Sequence, residues 1–308
     1  MLRLAVSTQA ETYERMQQPL AERDIAVEYI QTAERTVSLS ETDLQSGFDV
    51  GFVFPPRLAE GGVADALLGI PWVNGREEVL RSRHKGETLA RLANAGVAVP
   101  ETVVVSNPVA ESELIKAFER FDGPVVVKPN SATRGIGIAK TSDLDSFLGI
   151  CDYLDLVHDY RATGDRSFLV QEFLPDARDY RVMLIDGEYV GAVERRLPEV
   201  ESPSGDTPER EISPAGGTHT GEGRTRQRWK HNVHRGARAT PVELPETLRT
   251  IAETAATALE IPWLGVDLLV TDSRVVVNET NARPTIDTAE KYEEGFWDAL
   301  AGLVRRQR

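Results

Sequence analysis

Gly265-Val-Asp267-Leu-Leu-Val-Thr-Asp-Ser-Arg274-Val-Val-Val-Asn278-Glu279-Thr-Asn281-Ala-Arg283-Pro284 reads as two apolar strands joined by a tight polar turn over Thr271 to Arg274. With the turn centred on Ser273, Asp267 and Glu279 lie opposite each other, and Asn281 shares the face of Glu279. Two carboxylates and an amide oxygen at one strand end suit Mg²⁺, with Mn²⁺ as the alternative ion. Acidic residues within Val/Leu-rich strands need compensation, which a cation supplies. A solvated acidic hairpin is the competing reading.

Outward from this hairpin, strands and helices alternate. Residues 2–6, 25–30, 49–54 and 71–74 read as strands and 9–23 as a helix, which makes a small parallel α/β domain over residues 1–85. Lys85 opens a helix that Gly96 ends. A second unit over 86–171 has strands at 124–128 and 167–171 and helices at 109–120 and 142–156. A third unit, 172–308, begins with a hairpin turning at Asp186-Gly187; it continues with a helix at 244–260, the acidic hairpin and a closing helix at 288–305. From Pro198 to Gln227 the chain is polar and rich in Gly, Pro, Ser and Thr, a composition that predicts a flexible lid or a disordered insertion.

Composition narrows the function classes. The 308 residues are 41% apolar and 27% charged, as in soluble globular proteins, and they exceed one ordinary core. There is no run of about 18 apolar residues and no secretory signal, so the expected setting is the cytoplasm, without membrane contact. A single cysteine, Cys151, fits a reducing compartment and a core position. The net charge of −14 comes from 49 acidic and 35 basic residues, with lysine confined to positions 85, 116, 128, 140, 230 and 291. No basic face is legible, which argues against nucleic acid.

Three further motifs carry chemistry. Val125-Val-Val-Lys128-Pro-Asn-Ser-Ala-Thr-Arg134-Gly135-Ile-Gly137 sets a strand-end lysine before a glycine loop, an arrangement able to hold phosphates through backbone N–H groups and a point charge. It is neither of the standard nucleotide fingerprints, and Ser7-Thr-Gln-Ala after the first strand excludes a dinucleotide-binding oxidoreductase. Gln171-Glu172-Phe173-Leu174, followed by Asp179-Tyr-Arg181, runs a strand into a linker whose free backbone groups can read an adenine edge; an inter-domain hinge is an equal reading. Trp229-Lys230-His231-Asn232-Val-His234-Arg235-Gly236 gathers donors for an anion or an oxyanion. Its His-x-x-His pair is a poor zinc signature, and a solvated basic edge is the alternative for the whole stretch.

Taken in order, the glycine loop, Gln171-Glu172-Phe-Leu, Asp179-Tyr-Arg181, Val193-Glu-Arg195-Arg196, Asn232-Val-His-Arg235-Gly236 and Asp267…Glu279-Thr-Asn281 resemble the ATP-grasp superfamily, and more narrowly its RimK-type α-L-glutamate ligase branch. The resemblance covers nearly the whole chain. It implies an α/β fold, α+β in its later part: a Rossmann-like preATP-grasp domain, then two ATP-grasp subdomains that clamp ATP. It assigns Lys85, Lys128, Arg134, Gly135 and Gly137 to the nucleotide phosphates, Gln171, Glu172, Phe173 and Leu174 to adenine, and Asp179 to the ribose. Asp267, Glu279 and Asn281 become the Mg²⁺ ligands. Arg181, Asn232 and Arg235 take catalytic positions, while Arg196, Lys230 and Arg283 face substrate. The implied reaction activates a carboxylate as an acyl phosphate, which an amine then attacks. L-Glutamate is the expected amino-acid donor, a small molecule or peptide the acceptor, and a homodimer or homotetramer the expected assembly. Other amino-acid ligases, glutathione synthase-like or lysine-pathway-like, and a catalytically inactive ATP-binding regulator remain the alternatives. Three departures stand out, the length of 198–227, Lys230 and Arg283-Pro284 after Asn281, and the last two, next to the acceptor site, bear on substrate identity.

Overall fold

In the first sheet, β1 (Leu2–Val6), β2 (Ile25–Tyr29), β3 (Val50–Phe52) and β4 (Trp72–Val73) stand in the order β2-β1-β3-β4, all parallel. Parallel neighbours need crossovers, and α1 (Glu11–Ala21) supplies one by burying Thr12, Met16 and Leu20 at four-residue spacing. A second helix, α2 (Leu58–Leu68), lies where the sequence reading has none. The computed structural model describes residues 1–8, 11–40, 47–133, 135–159, 165–197 and 237–308. The stretch 198–227 and Arg134, Lys230, Asn232 and Arg235 lie outside the described residues.

Two helices join this sheet to the rest. α3 (Arg76–Arg83) and α4 (Lys85–Asn94) are separated only by His84, whose extended backbone breaks the helix. Lys85 thereby becomes the first residue of α4. Asn130 holds it there, its carbonyl accepting the Lys85 N–H at 3.2 Å and its Oδ1 the Gly86 N–H at 2.8 Å.

The second sheet comprises β5 (Thr102–Ser106), β6 (Val125–Pro129), β7 (Ala139–Thr141) and β8 (Ser167–Glu172) in the antiparallel order β5-β8-β6-β7. With α5 (Glu111–Glu119) and α6 (Leu144–Asp159) it encloses its own core, which includes Leu114, Val125, Val127, Phe147, Cys151 and Phe168. Cys151 is buried there, and burial pushes its thiol up to about 12, as expected of a core residue.

The third sheet is antiparallel, with the strand of residues 178–185 at its centre. Its strands are β9 (Arg178–Ile185), β10 (Glu188–Arg196), β11 (Arg238–Pro241), β12 (Trp263–Val270) and β13 (Val275–Asn281). Helix α7 (Glu246–Leu259) packs beneath it on Leu248, Ala252, Ala255 and Leu259. The closing helix, α8, spans only Phe296–Arg306, and Ala289–Lys291 forms a separate 3₁₀ turn, so the single helix expected over 288–305 is corrected. The first and third sheets share one continuous core, in which Phe52 meets Trp263 at 6.4 Å between ring centroids. Buried Asn74 fastens them together: its Oδ1 accepts the Trp263 N–H at 3.0 Å, and its Nδ2 donates to the Ala282 carbonyl at 2.7 Å.

Candidate active site

Two extra residues, one in each hairpin of the third sheet, set the geometry of the site. In β12–β13 the turn closes between Val270 and Val275, half a step short of a centre on Ser273. That register alone would set Asp267 against Asn278. A bulge places Asn278 outside the ladder, and Asp267 then pairs with Glu279 as the sequence reading expects. The bulged Asn278 turns its Oδ1 to the Lys128 ammonium at 3.5 Å.

The second bulge decides which arginine of β10 faces Asp179 and Arg181. From the Asp186-Gly187 turn alone, β10 would present Arg196 on the face that carries Asp179 and Arg181. Val190 is an extra residue between the pairs Tyr189–Leu184 and Gly191–Met183, and it reverses every later position. Arg195 therefore opposes Asp179, while Arg196 projects from the other face to Glu194 at 2.6 Å, exposed to solvent. The bulge is held by the chain after the 3₁₀ turn, where the Glu293 N–H donates to the Val190 carbonyl at 2.9 Å. At Gly191, φ is 149° and a Cβ would lie 2.3 Å from the Lys291 carbonyl oxygen, so no side chain fits.

Arg195 joins a buried four-charge network. Arg181 clasps Asp267 with two bonds, Nε–Oδ1 at 2.7 Å and Nη2–Oδ2 at 2.9 Å, and Arg195 Nη2 adds a third at 2.9 Å to Oδ2. Arg195 Nε also donates to Asp179 Oδ1 at 3.0 Å. Burial pushes the Asp267 carboxyl up, but the two guanidiniums outweigh it and hold the group below the usual carboxylate range. Burial likewise opposes the charge on Arg195, and Asp267 and Asp179 overcome it. Asp179 is thus engaged by Arg195 inside the sheet and does not line the cavity described next.

A cavity of about 520 Å³ opens between the third sheet, the first sheet and the glycine loop. Arg181, Arg195, Asp267, Glu279 and Asn281 line one wall, Lys85 and Gly135 another, and Arg83 and Arg283 a third. Buried Lys85 lies 3.4 Å from Glu279 Oε1, and its Nζ also donates to the Ala132 carbonyl. Lys128 is buried and, among the described residues, its ammonium has only the long contact to Asn278; desolvation, reinforced by Lys85 against the pull of Glu279 and Asp267, lowers it to about 8. Gly135 and Gly137 take φ of 66° and 75°, in the left-handed region; at Gly137 a Cβ would also stand 2.9 Å from Pro129 Cγ.

The strand-to-linker motif is more occupied than its sequence suggests. The Glu172 N–H donates to the Glu101 carbonyl and the Phe173 N–H to the Pro124 carbonyl, both at 3.0 Å, so these two donors are not free. The Glu172 side chain accepts the Glu101 N–H at 2.7 Å and pairs with Arg274, while Gln171 Nε2 donates to Thr102 at 2.8 Å. The Lys140 ammonium stands 4.1 Å over the Phe173 ring. Gln171, Glu172, Phe173 and half-buried Leu174 do not line the 520 Å³ cavity.

The donor set on the acidic wall fits a hard divalent cation. Among the described residues there is no cluster of three or more His, Cys, Asp and Glu, so a metal would rest on two carboxylates and the Asn281 amide. Mg²⁺ bound by one or two carboxylates, water and phosphates needs no more. Three of roughly four acceptor positions on Asp267 are already taken by arginine; Glu279 keeps the more open carboxylate, about one third exposed.

A parallel sheet, two antiparallel sheets and a lysine–carboxylate cavity among them make up the ATP-grasp fold. Residues 217–296 match the RimK-like ATP-grasp domain, and residues 90–206 the ATP-grasp domain of prokaryotic glutathione synthetase. Both matched segments are thus ATP-grasp domains of known families. It is 29% identical over 234 residues to an Enterobacter sp. (strain 638) protein named "Probable alpha-L-glutamate ligase", a match covering 73% of this chain and 64% of that protein. The figures are the same for the Escherichia fergusonii "Ribosomal protein bS6--L-glutamate ligase". The chain thus spans a little under two thirds of the length of these relatives. The crystal structure of a RimK domain ATP-grasp protein from Sphaerobacter thermophilus superposes with a TM-score of 0.64 over 99% of this chain and 98% of that one, at 21% identity.

Proposed function

We propose that the protein is an ATP-dependent, ADP-forming carboxylate–amine ligase that makes an amide through an acyl phosphate, with L-glutamate the first candidate for the amino acid added. The observation that carries this reading is the meeting of Lys85, the Asp267–Glu279–Asn281 wall and Arg181 in one cavity beside the glycine loop. A carboxylate and a polyphosphate repel each other, so the site must supply positive charge where the phosphoryl group moves. Lys85 and Lys128 would neutralise the phosphates, and Gly135 would bring backbone donors to them. Asp267, Glu279 and Asn281 would hold Mg²⁺, which when bound screens the phosphate oxygens. Arg181 and Arg195, already fixed on Asp267, would orient that carboxylate. No side-chain nucleophile is required; the chain contributes positioning and charge.

The names of the relatives support glutamate as donor and a protein or peptide acceptor, and a homo-oligomer in the cytoplasm remains part of the proposal. The test is ADP formation from Mg²⁺-ATP with a panel of amino acids, glutamate first, and candidate peptide and small-molecule acceptors, with product masses recorded. An ATP-dependent gain of one amino-acid residue is the expected result. Nucleotide binding without turnover on any pair would refute the ligase reading.

A further inference from the structure

The third wall of the cavity carries two guanidiniums to which the phosphoryl chemistry gives no role. Arg83 ends α3, and Arg283 follows β13 two residues after Asn281. Arg283 Nη2 donates to Thr8 Oγ1 at 2.8 Å and its Nη1 to the Val53 carbonyl at 3.4 Å, while Arg83 Nη2 donates to the Pro56 carbonyl at 2.9 Å. Val53 and Pro56 belong to the same loop after β3, so both guanidiniums converge on one short segment of backbone. Among the described residues neither has a carboxylate within ion-pair distance. Arg181 and Arg195 on the opposite wall are, by contrast, fully paired.

Two like charges drawn together at the edge of a core destabilise each other and the fold. Burial works against the charged form of Arg83. A small anion between them would reverse the cost, and the planar fork of arginine matches a carboxylate with two parallel bonds. Amide formation consumes one carboxylate and one amine; an amino acid that supplies the amine keeps its own carboxylates. These need a cationic seat in a cavity that also contains Asp267 and Glu279.

We propose that Arg83 and Arg283 together form the subsite for a spectator carboxylate, the one on the incoming amino acid that takes no part in the bond being made. The proposal rests on the ligase reading for the identity of that amino acid. It makes Arg283 a specificity residue and gives Arg83, absent from the sequence reading, the same role. Acidic amino acids are the preferred class, because a second carboxylate lets one end sit on the fork while the α-amine faces the phosphoryl end.

Isothermal titration of L-glutamate and of glutarate into the full chain, with and without a non-hydrolysable ATP analogue, tests this without turnover. Arg283→Ala and Arg83→Gln are each expected to weaken binding of both ligands roughly ten- to hundredfold, the range for a lost charged hydrogen-bond pair, while affinity for the ATP analogue moves less than about threefold. Arg283→Lys should recover only part of the loss, since an ammonium lacks the fork. Thermal unfolding of each variant checks the fold; should Arg283→Ala not fold, Arg83→Gln carries the test, its side chain being bonded, among the described residues, to one loop carbonyl. Wild type that binds neither ligand, variants that bind both as wild type does, a loss of nucleotide affinity instead, or inorganic phosphate binding at the fork where glutarate does not would each overturn the proposal. Glutarate binding through the fork without amide formation on any acceptor would sink the ligase reading and leave the subsite. Normal turnover with both arginines removed would do the reverse.

Discussion

The first and third sheets share one core; the second sheet has its own. Phe52, Trp263, Leu264, Leu300 and Val304 form a continuous apolar mass, held across the join by Asn74, whereas Phe147, Phe168 and Val127 close a separate cluster. Several contacts between the second sheet and this body are polar: the Glu172–Arg274 pair, Lys128 on Asn278, and Asn130 on the first turn of α4. A unit joined through polar contacts can shift as a rigid piece at little cost, while one joined through a core cannot. The acidic wall and the arginine fork therefore stand on the rigid body, and the glycine loop and Lys128 on the separately cored piece. The site is divided along that line.

The largest expected effect tests the rigid wall. Glu279→Ala should lower ADP formation by about a thousandfold or more, roughly 4 kcal/mol of transition-state stabilisation, with an unchanged far-UV spectrum. Retained turnover with the same Mg²⁺ dependence would remove Glu279 from the metal set. Next come paired core truncations. Trp263→Ala should destabilise by about 3–5 kcal/mol and expose amides of β1, β3 and β12 together to hydrogen exchange, whereas Phe147→Ala, of similar cost, should expose β6, β8 and α6 and spare the body. Equal exposure of both regions by either variant would show that the two cores unfold as one.

A smaller effect concerns Lys128, which faces Lys85, Glu279 and Asp267. Its folded value of about 8 lies below the ordinary 10.5, so the unfolded chain binds its proton more tightly. The resulting penalty is present in full below about pH 8 and fades as pH rises toward 10.5. Relative to Lys128→Met, the ligand-free wild type should gain about 1 kcal/mol of stability per pH unit between about 8.5 and 10. Parallel denaturation curves for the two proteins across that window would contradict the burial of a charged lysine. The smallest effect belongs to Glu172→Gln, which breaks a partly exposed ion pair between the second sheet and the body. Stability should fall by less than about 1 kcal/mol, and a larger loss, seen by chemical denaturation, would mean that this join is stiffer than its polar character suggests.

Much of the fold was legible in the chain. Val/Ile/Leu-rich runs, the Asp186-Gly187 turn and Gly96 after α4 mark elements close to where they stand, because hydrophobic period and turn chemistry are local properties. α2 escaped notice because its Gly-Gly-containing stretch looks like a loop and becomes helical against Phe54 and Pro55 of the body. The closing segment reads as one helix because no strong breaker stands between Ala289 and Glu294.

For the site, the sequence alone determined the residue types: two carboxylates and an amide in one hairpin, a strand-end lysine before glycines, and arginines near the end of a neighbouring strand. Only the tertiary structure decided which of them meet. One unpaired residue reverses the facing of a strand, and the residue types of Val190 and Asn278 do not by themselves fix where the bulge falls. What makes Val190 bulge is the backbone of residues 291–293, about a hundred positions later in the chain, pressing on Gly191 and taking the Val190 carbonyl. That contact brings Arg195 rather than Arg196 to Asp267. Arg83 and Arg283 likewise lie 200 positions apart and converge only because the loop after β3 folds between them. Side-chain parity and long-range convergence depend on distant backbone, which a local reading of the chain does not contain.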